Sequence, residues 1–178
     1  IMTRRPNQEE IESLAKYATI PVINGMSSDL HPCQLLADMQ TFEELKGSIT
    51  SRTVAFIGDG YNMCNSYIEA SSIFNFKLNI ATPVGYEPKP QFLAMSQNVT
   101  LYESPSEAVR NADLVVTDVW SSMGQEEENA KRIESFRPYQ VNKKLLELAK
   151  NDVIFMHCLP AHRGEEISTE LLDDERSA

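Results

Sequence analysis

Residues 53–60 read Thr-Val-Ala-Phe-Ile-Gly-Asp-Gly, and this stretch decides the fold. The run 53–57 is a predicted buried strand, because it is short, apolar and bounded by a glycine-containing turn. The turn opens a predicted helix over 62–74. A strand, a tight turn and a helix in this order indicate a parallel sheet covered by helices.

The same alternation continues on both sides of this unit. Further strands are predicted at 77–81, 99–102, 114–118 and 153–156. Upstream, 20–23 is predicted to be a short strand closed by Asn24-Gly25. A helix is predicted to begin at Pro32, which suits a first helical position, and to end at Gly47. We therefore predict an α/β protein, a three-layer sandwich with a parallel, Rossmann-like sheet between helices.

Composition excludes several classes of protein. The 178 residues include 16 Lys and Arg against 26 Asp and Glu, a net charge of −10. This acid excess argues against a nucleic-acid surface, which needs basic clusters. No apolar run approaches the roughly 18 residues of a membrane helix, and no secretory signal peptide is apparent. Three cysteines are too few to indicate a disulfide framework, so a reducing cytoplasm is the expected location.

The turn 58–60 does not match a dinucleotide-binding fingerprint. That fingerprint needs a third glycine where Met63 stands, and an acid about 20 residues on, which 78–82 lacks. A nicotinamide cofactor is therefore excluded. Asp59 is predicted to cap the following helix rather than to take part in catalysis.

Polar residues nevertheless follow several predicted strands, and ligands of open parallel sheets bind beyond the carboxyl ends of the strands. The residues concerned are Asp59, Asn62, Asp118 and His157. The sequence therefore predicts a site at this edge of the sheet.

His157, Cys158 and His162 lie close enough in sequence to suggest zinc. Pro160 breaks any helix that would align them, so no metal site is expected. A Cys–His nucleophile pair is the alternative, but adjacent residues at a strand end usually point in opposite directions.

Two further segments carry polar groups suited to ligands. Residues 31–34 read His-Pro-Cys-Gln at a helix start, where free N–H groups favour anions. Residues 118–124 read Asp-Val-Trp-Ser-Ser-Met-Gly, a carboxylate followed by a loop suited to a cationic amine. Simple helix capping by His31 or Asp118 remains the structural alternative in both cases.

These segments, in this order and spacing, resemble the motifs of the aspartate/ornithine carbamoyltransferase family over essentially the whole chain. The segment 31–34 resembles the family's carbamoyl-phosphate motif, and His-Cys-Leu-Pro at 157–160 resembles its second carbamoyl-phosphate loop. The segment 118–124 closely resembles the loop that distinguishes the ornithine-using branch from the aspartate-using one.

The resemblance implies roles for individual residues. Those expected to contact carbamoyl phosphate are Arg4, His31, Gln34, Cys158 and Leu159, the last through its backbone carbonyl. Those expected to bind ornithine are Asn62, Asp118, Ser122 and Met123, the last through its backbone. Tyr61 departs from the family, since many relatives carry Asn there.

Asp118 and Cys158 are the implied catalytic residues. Asp118 orients the attacking amine, and Cys158 takes part in accepting its proton. The implied reaction transfers a carbamoyl group from carbamoyl phosphate to the side-chain amine of L-ornithine, giving L-citrulline and phosphate for arginine biosynthesis. It needs no cofactor or metal. Alternatives are a carbamoyltransferase for putrescine or acylated ornithine, and a non-catalytic ligand-binding α/β module.

The resemblance also implies the organisation of the chain. Residues 1–34 correspond to a remnant of a carbamoyl-phosphate domain, 35–47 to an interdomain helix, and 48–178 to an ornithine-binding domain truncated at its C-terminus. The family's main phosphate loop, Ser-Thr-Arg-Thr, does not occur in this sequence, so we expect this chain alone to be inactive. The full-length parent is expected to form homotrimers or multiples of trimers, with no nucleic-acid or membrane partner, and 119–138 is expected to form a mobile lid.

Overall fold

The computed structural model describes residues 1–120 and 129–178. The strands are β1 (Met2–Arg4), β2 (Ile23–Met26), β3 (Thr53–Ile57), β4 (Lys77–Ala81), β5 (Val99–Tyr102), β6 (Leu114–Thr117) and β7 (Ile154–His157). The α-helices are α1 (Gln8–Tyr17), α2 (Pro32–Lys46), α3 (Asn62–Ile73), α4 (Pro90–Leu93), α5 (Pro105–Ala108), α6 (Asn129–Phe136) and α7 (Lys143–Leu146). Short 3-10 turns cover Arg137–Tyr139 and Leu171–Asp173.

The main sheet has five parallel strands in the order β5-β4-β3-β6-β7. This confirms the predicted parallel sheet and the predicted strand at 53–57, which the structure shows to be its central strand. The strands are closely aligned: Ile57 lies opposite both Ala81 and Thr117, and Thr117 lies opposite His157. The carboxyl ends of these strands therefore form one level edge.

Helices cover both faces of this sheet, which confirms the three-layer architecture. Val54 and Phe56 point into a core shared with α2 and α3. Ala55 and Ile57 point into a second core that contains residues of α5 and α7. Successive side chains of a strand alternate between faces, so the apolar run of β3 supplies both cores at once.

The N-terminal part forms a separate two-stranded parallel sheet from β1 and β2. The prediction of a strand at 20–23 closed by Asn24-Gly25 is wrong, because β2 begins at Ile23 and contains both residues. A Cβ atom on Gly25 would lie 3.1 Å from the Thr3 carbonyl oxygen. Close approach of β1, rather than a turn, therefore explains the glycine.

Helix α2 begins at Pro32 and ends before Gly47, whose φ of 73° suits glycine. Both ends were predicted from the sequence. The buried face of this helix combines Leu35, Met39 and Phe42 with one acid, Asp38. Among the described residues, no helix has the length and apolar character needed to span a membrane.

Three side chains on α3 hold the backbone that leads into α2. Asn62 Nδ2 donates to the Ser27 carbonyl oxygen at 2.8 Å, and Asn65 Nδ2 donates to the carbonyl of Asp29 at 3.0 Å. Ser66 Oγ accepts the backbone N–H of His31 at 2.8 Å. These three hydrogen bonds fix the segment 27–31 against α3.

Candidate active site

The strand order creates a crevice between the carboxyl ends of β3 and β6. From β3 the chain runs outward through β4 to β5, and then returns to the other side of β3 as β6. Ligands of open α/β sheets bind where the strand order reverses in this way. Asp59 follows β3, and Asp118 follows β6, so two acids lie at this switch point.

The structure brings Asp118 and Cys158 together across neighbouring strand ends. The Cys158 thiol donates to Asp118 Oδ1 at 3.0 Å. The same oxygen accepts the backbone N–H of Val119 at 2.7 Å. Burial raises the pKa of the Cys158 thiol far above its usual range, and the nearby negative charge of Asp118 raises it further. The thiol is therefore neutral at physiological pH.

His157 points away from this pair. Its Nδ1 accepts the backbone N–H of Leu159 at 3.0 Å, so its proton resides on Nε2 and is donated to Glu166 Oε1 at 3.0 Å. Cys158 and His157 therefore have different partners, as the alternation of side chains at a strand end predicts. A Cys–His nucleophile pair is not formed. Leu159 itself is exposed on the loop.

The prediction that Asp59 caps α3 is wrong. The capping residue is Tyr61, which makes no side-chain capping bond. Asp59 instead forms a buried ion pair with Arg132 of α6. Burial raises the pKa of the Asp59 carboxyl to about 6, although the charge of Arg132 and its hydrogen bond oppose that shift.

Arg132 is held on several sides. Its Nε donates to the Trp120 carbonyl oxygen at 2.6 Å, and its guanidinium carbon lies 4.7 Å from the centre of the Tyr86 ring. A guanidinium over an aromatic face is attracted by the ring quadrupole. This buried arginine therefore ties α6 to the ends of β3 and β6.

Asn62 lies in the crevice wall, but both polar atoms of its side chain are engaged. Besides the bond to the Ser27 carbonyl, its Oδ1 accepts the backbone N–H of Met63 at 2.9 Å. The residue is 6% exposed. A ligand that binds this side chain must therefore replace one of these backbone partners.

The N-terminal motif reaches the same edge of the sheet. His31 is half-buried, and burial lowers its pKa. The positive charge of Arg4 lowers that pKa further, while the negative charge of Asp118 opposes the shift. His31 therefore lies within electrostatic reach of both Arg4 and Asp118. His31 is neutral at physiological pH, and Arg4 touches Met26 Sδ through Nη2 at 3.2 Å.

Gln34 is oriented by a buried acid that the sequence analysis missed. Gln34 Nε2 donates to Asp38 Oδ1 at 2.9 Å, and the Tyr67 hydroxyl donates to Asp38 Oδ2 at 2.8 Å. Since the amide nitrogen faces Asp38, the oxygen Oε1 of Gln34 is directed elsewhere as an acceptor. The available signal was an acid four residues after Gln34, within the apolar stripe of α2.

Two predicted ornithine contacts, Ser122 and Met123, lie outside the described residues, as does the part of the expected lid at 121–128. Arg132 and Glu166 were also missed, because nothing local in the sequence pairs them with Asp59 and His157. The described residues contain one group of potential metal ligands, formed by His162, Glu165 and Glu166.

The chain matches two models of protein families. Residues 50–178 match the model described as aspartate/ornithine carbamoyltransferase, Asp/Orn binding domain. Residues 1–44 match the model described as aspartate/ornithine carbamoyltransferase, carbamoyl-P binding domain.

Individual relatives agree with these matches. The chain is 61% identical to the anabolic ornithine carbamoyltransferase of Pseudomonas aeruginosa, over 99% of this chain and 58% of that protein. It is similar in structure to the ornithine carbamoyltransferase of Pyrococcus furiosus, with a TM-score of 0.94 and 46% identity over 100% of this chain and 59% of that one. The corresponding structure from Thermus thermophilus gives a TM-score of 0.90 and 40% identity, over 99% and 58% of the two chains. The chain thus spans less than two thirds of the length of these relatives.

Proposed function

The chain belongs to the aspartate/ornithine carbamoyltransferase family, and from that membership we propose that it takes part in carbamoyl transfer from carbamoyl phosphate to the side-chain amine of L-ornithine. The products are L-citrulline and phosphate, and the reaction serves arginine biosynthesis. The contact between Asp118 and Cys158 at the switch point carries this proposal. It joins, at one place, the two segments that resemble the amine loop and the carbamoyl loop of the family.

In the proposed reaction, Asp118 receives the attacking amine. An amine attacks only when neutral, so a carboxylate that accepts its N–H groups orients the lone pair towards the carbonyl carbon. Because the raised pKa keeps the Cys158 thiol protonated, the carboxylate of Asp118, and not the sulfur, is the group of the pair that can accept a proton. As the new C–N bond forms and the C–O bond to phosphate breaks, Asp118 accepts the proton that the amine loses, while Cys158 holds the carbamoyl group with its thiol still donating to Asp118.

Carbamoyl phosphate would lie between Arg4, His31 and the 157–160 loop. Neutral His31 donates one N–H to the carbonyl oxygen, and Arg4 balances charge on the departing phosphate. Gln34 Oε1, left as an acceptor by the bond to Asp38, accepts from the carbamoyl amino group. The backbone carbonyl of Leu159 accepts from the same amino group.

Ornithine would be held by Asn62, Asp118, Ser122 and Met123. To bind ornithine, the Asn62 side chain gives up its hydrogen bond to the Ser27 carbonyl and donates to a group on ornithine instead. Ligand binding is thereby coupled to the segment 27–31. Tyr61 stands immediately beside Asn62, half-buried at the start of α3. The proposal therefore assigns it to the rim of the ornithine site.

We also propose how the chain is organised and how it assembles. Residues 1–34 act as part of a carbamoyl-phosphate domain, 35–47 as an interdomain helix and 48–178 as the ornithine-binding domain. The active form is a homotrimer or a multiple of trimers, without a cofactor. The free cysteines are compatible with a reducing cytoplasm.

A chimera tests the proposal. This chain replaces the matching segment of the Pseudomonas aeruginosa enzyme, so that the remainder of the enzyme is supplied. We expect citrulline formation from ornithine and carbamoyl phosphate, with kcat/KM for ornithine well above that for putrescine or acylated ornithine. Asp118→Asn should lower kcat by about 100-fold or more. Glu107→Gln, at an exposed acid of α5, is the control and should leave kcat unchanged.

Two results would contradict this function. A correctly assembled chimera that forms no citrulline would favour the non-catalytic module. A chimera that prefers putrescine or acylated ornithine would move the assignment to another amine.

A further inference from the structure

A cluster of potential metal ligands lies on the turn that follows the 157–160 loop. His162, Glu165 and Glu166 each offer one ligand atom, and these atoms lie within 4.8 Å of one another. His162 Nδ1 is 3.6 Å from Glu165 Oε2 and 4.0 Å from Glu166 Oε2. A histidine between two carboxylates is common on protein surfaces, so this spacing alone decides nothing.

Glu166 distinguishes this cluster from an ordinary acidic surface. Its side chain is fully buried. Oε1 accepts two hydrogen bonds, from His157 Nε2 at 3.0 Å and from the backbone N–H of His162 at 2.5 Å. Oε2 has no hydrogen-bond partner among the described residues. A buried carboxylate oxygen without a partner is unfavourable, and a bound cation is one of the few ways to satisfy it.

We propose that His162, Glu165 and Glu166 form a binding site for a divalent transition-metal ion such as Zn²⁺. One imidazole nitrogen and two carboxylate oxygens are a ligand set that Zn²⁺ accepts at about 2.0–2.2 Å, with water in the fourth position. Ligand atoms around such an ion are about 3.3–3.5 Å apart, so His162 and Glu165 need only a small adjustment. Mg²⁺ and Ca²⁺, which prefer sets made only of oxygen, fit less well.

Outer hydrogen bonds already support this arrangement. Glu166 keeps Oε1 on His157 while Oε2 faces His162, so the carboxylate is oriented before an ion arrives. Such second-layer contacts typically fix the ligands of metal sites. His157 in turn accepts the backbone N–H of Leu159. Metal binding would therefore stiffen the 157–160 loop, while the Cys158 thiol remains on Asp118 and outside the metal site.

The test uses the 178-residue chain and Zn²⁺, titrated in competition with a chromophoric chelator. We expect binding of one Zn²⁺ that His162→Asn and Glu165→Gln each weaken by at least about tenfold. Both side chains are partly exposed, so these variants should fold. Glu175→Gln, an exposed acid outside the cluster, is the charge-matched control and should bind Zn²⁺ as the unaltered chain does. Mg²⁺ should not compete.

Co²⁺ separates this site from zinc bound by cysteine. Co²⁺ held by imidazole and carboxylate gives no thiolate-to-cobalt charge-transfer absorption, and prior alkylation of the exposed Cys33 should change nothing. Three results would each overturn the proposal. They are no binding of Zn²⁺, a His162 or Glu165 variant that binds Zn²⁺ as tightly as the unaltered chain, and a thiolate-to-cobalt absorption band. None of these readouts depends on carbamoyl transfer, so the result is independent of the proposed function.

Discussion

Arg132 places its guanidinium against the carboxylate of Asp59, and both residues are buried, at 4% and 7% exposure. The two lie 73 residues apart in sequence. Their contact joins α6 to the turn after β3. Because each charge has lost most of its hydration, the energy of each depends on the presence of the other.

Removal of Arg132 should therefore be strongly destabilising. Arg132→Met leaves Asp59 buried without its counter-charge, and we expect the free energy of unfolding to fall by about 3–5 kcal/mol. Urea unfolding measures this change. Arg110→Met, at an exposed arginine, is the control and should change stability by less than about 0.5 kcal/mol. Equal stabilities of the two variants would show that the buried pair is energetically unimportant.

The same acid should make stability depend on pH. Burial raises the pKa of Asp59 from its usual 3.8 to about 6, so between these values the folded chain keeps a proton that the unfolded chain has released. The contribution of Asp59 to stability is therefore full below about pH 4 and is lost as pH rises to about pH 6. Asp59→Asn should remove this contribution, which amounts to about 3 kcal/mol. Unfolding curves of both proteins across this window provide the measurement, and parallel pH profiles would contradict the assignment.

Asp38 should stabilise α2 through its two hydrogen bonds. Asp38→Ala leaves the Tyr67 hydroxyl buried without an acceptor, at a cost of about 2–3 kcal/mol, whereas Tyr67→Phe should cost about 1 kcal/mol. The double variant should lose less than the sum of the single losses, because both changes remove one shared bond. Strict additivity in denaturant unfolding would mean that the two groups do not interact.

Cys158 should react slowly with alkylating reagents. The raised pKa keeps its thiol protonated, and only the thiolate is a good nucleophile. In the 178-residue chain, iodoacetamide should therefore modify the exposed Cys33 first, as followed by peptide mass spectrometry. Burial is the main cause of this raised pKa, and Asp118→Asn removes the nearby charge that raises it further. Alkylation of Cys158 should therefore accelerate several-fold in this variant, while the rate at Cys33 stays constant. An unchanged ratio of the two rates would argue against coupling of Cys158 to Asp118.

The strands of the main sheet were predictable because each is a short apolar run closed by a turn. Residues 53–57 and 77–81 coincide with β3 and β4. The strand β2 was misplaced, since its position depends on pairing with β1 and on the space that Gly25 leaves for it. Pairing of this kind is a tertiary effect that local pattern does not contain.

For the candidate site, the sequence indicated which groups follow the strands but not their partners. Asp118 and Cys158 were both proposed, yet the raised pKa of the thiol depends on burial and on a contact 40 residues away in sequence. Asp59 was assigned to a local cap because the capping interaction is visible in sequence, whereas Arg132 is distant. Asp38 was missed because the sequence alone does not show whether an acid within an apolar stripe is buried or faces solvent. The packing of α2 decides this.

Two bonds from α3 to the segment 27–31, those of Ser66 and Asn65, remain when a ligand takes the Asn62 side chain, and they determine how a ligand meets this molecule. His31 is attached through Ser66 to a helix rather than to a free loop, and the same helix begins at Asn62, beside the crevice that holds Asp118. The arrangement of His31 relative to Asp118 is therefore set when the chain folds. A ligand that touches both residues meets a preorganised surface, so little conformational entropy remains to be lost on its arrival, and more of its contact energy appears as affinity.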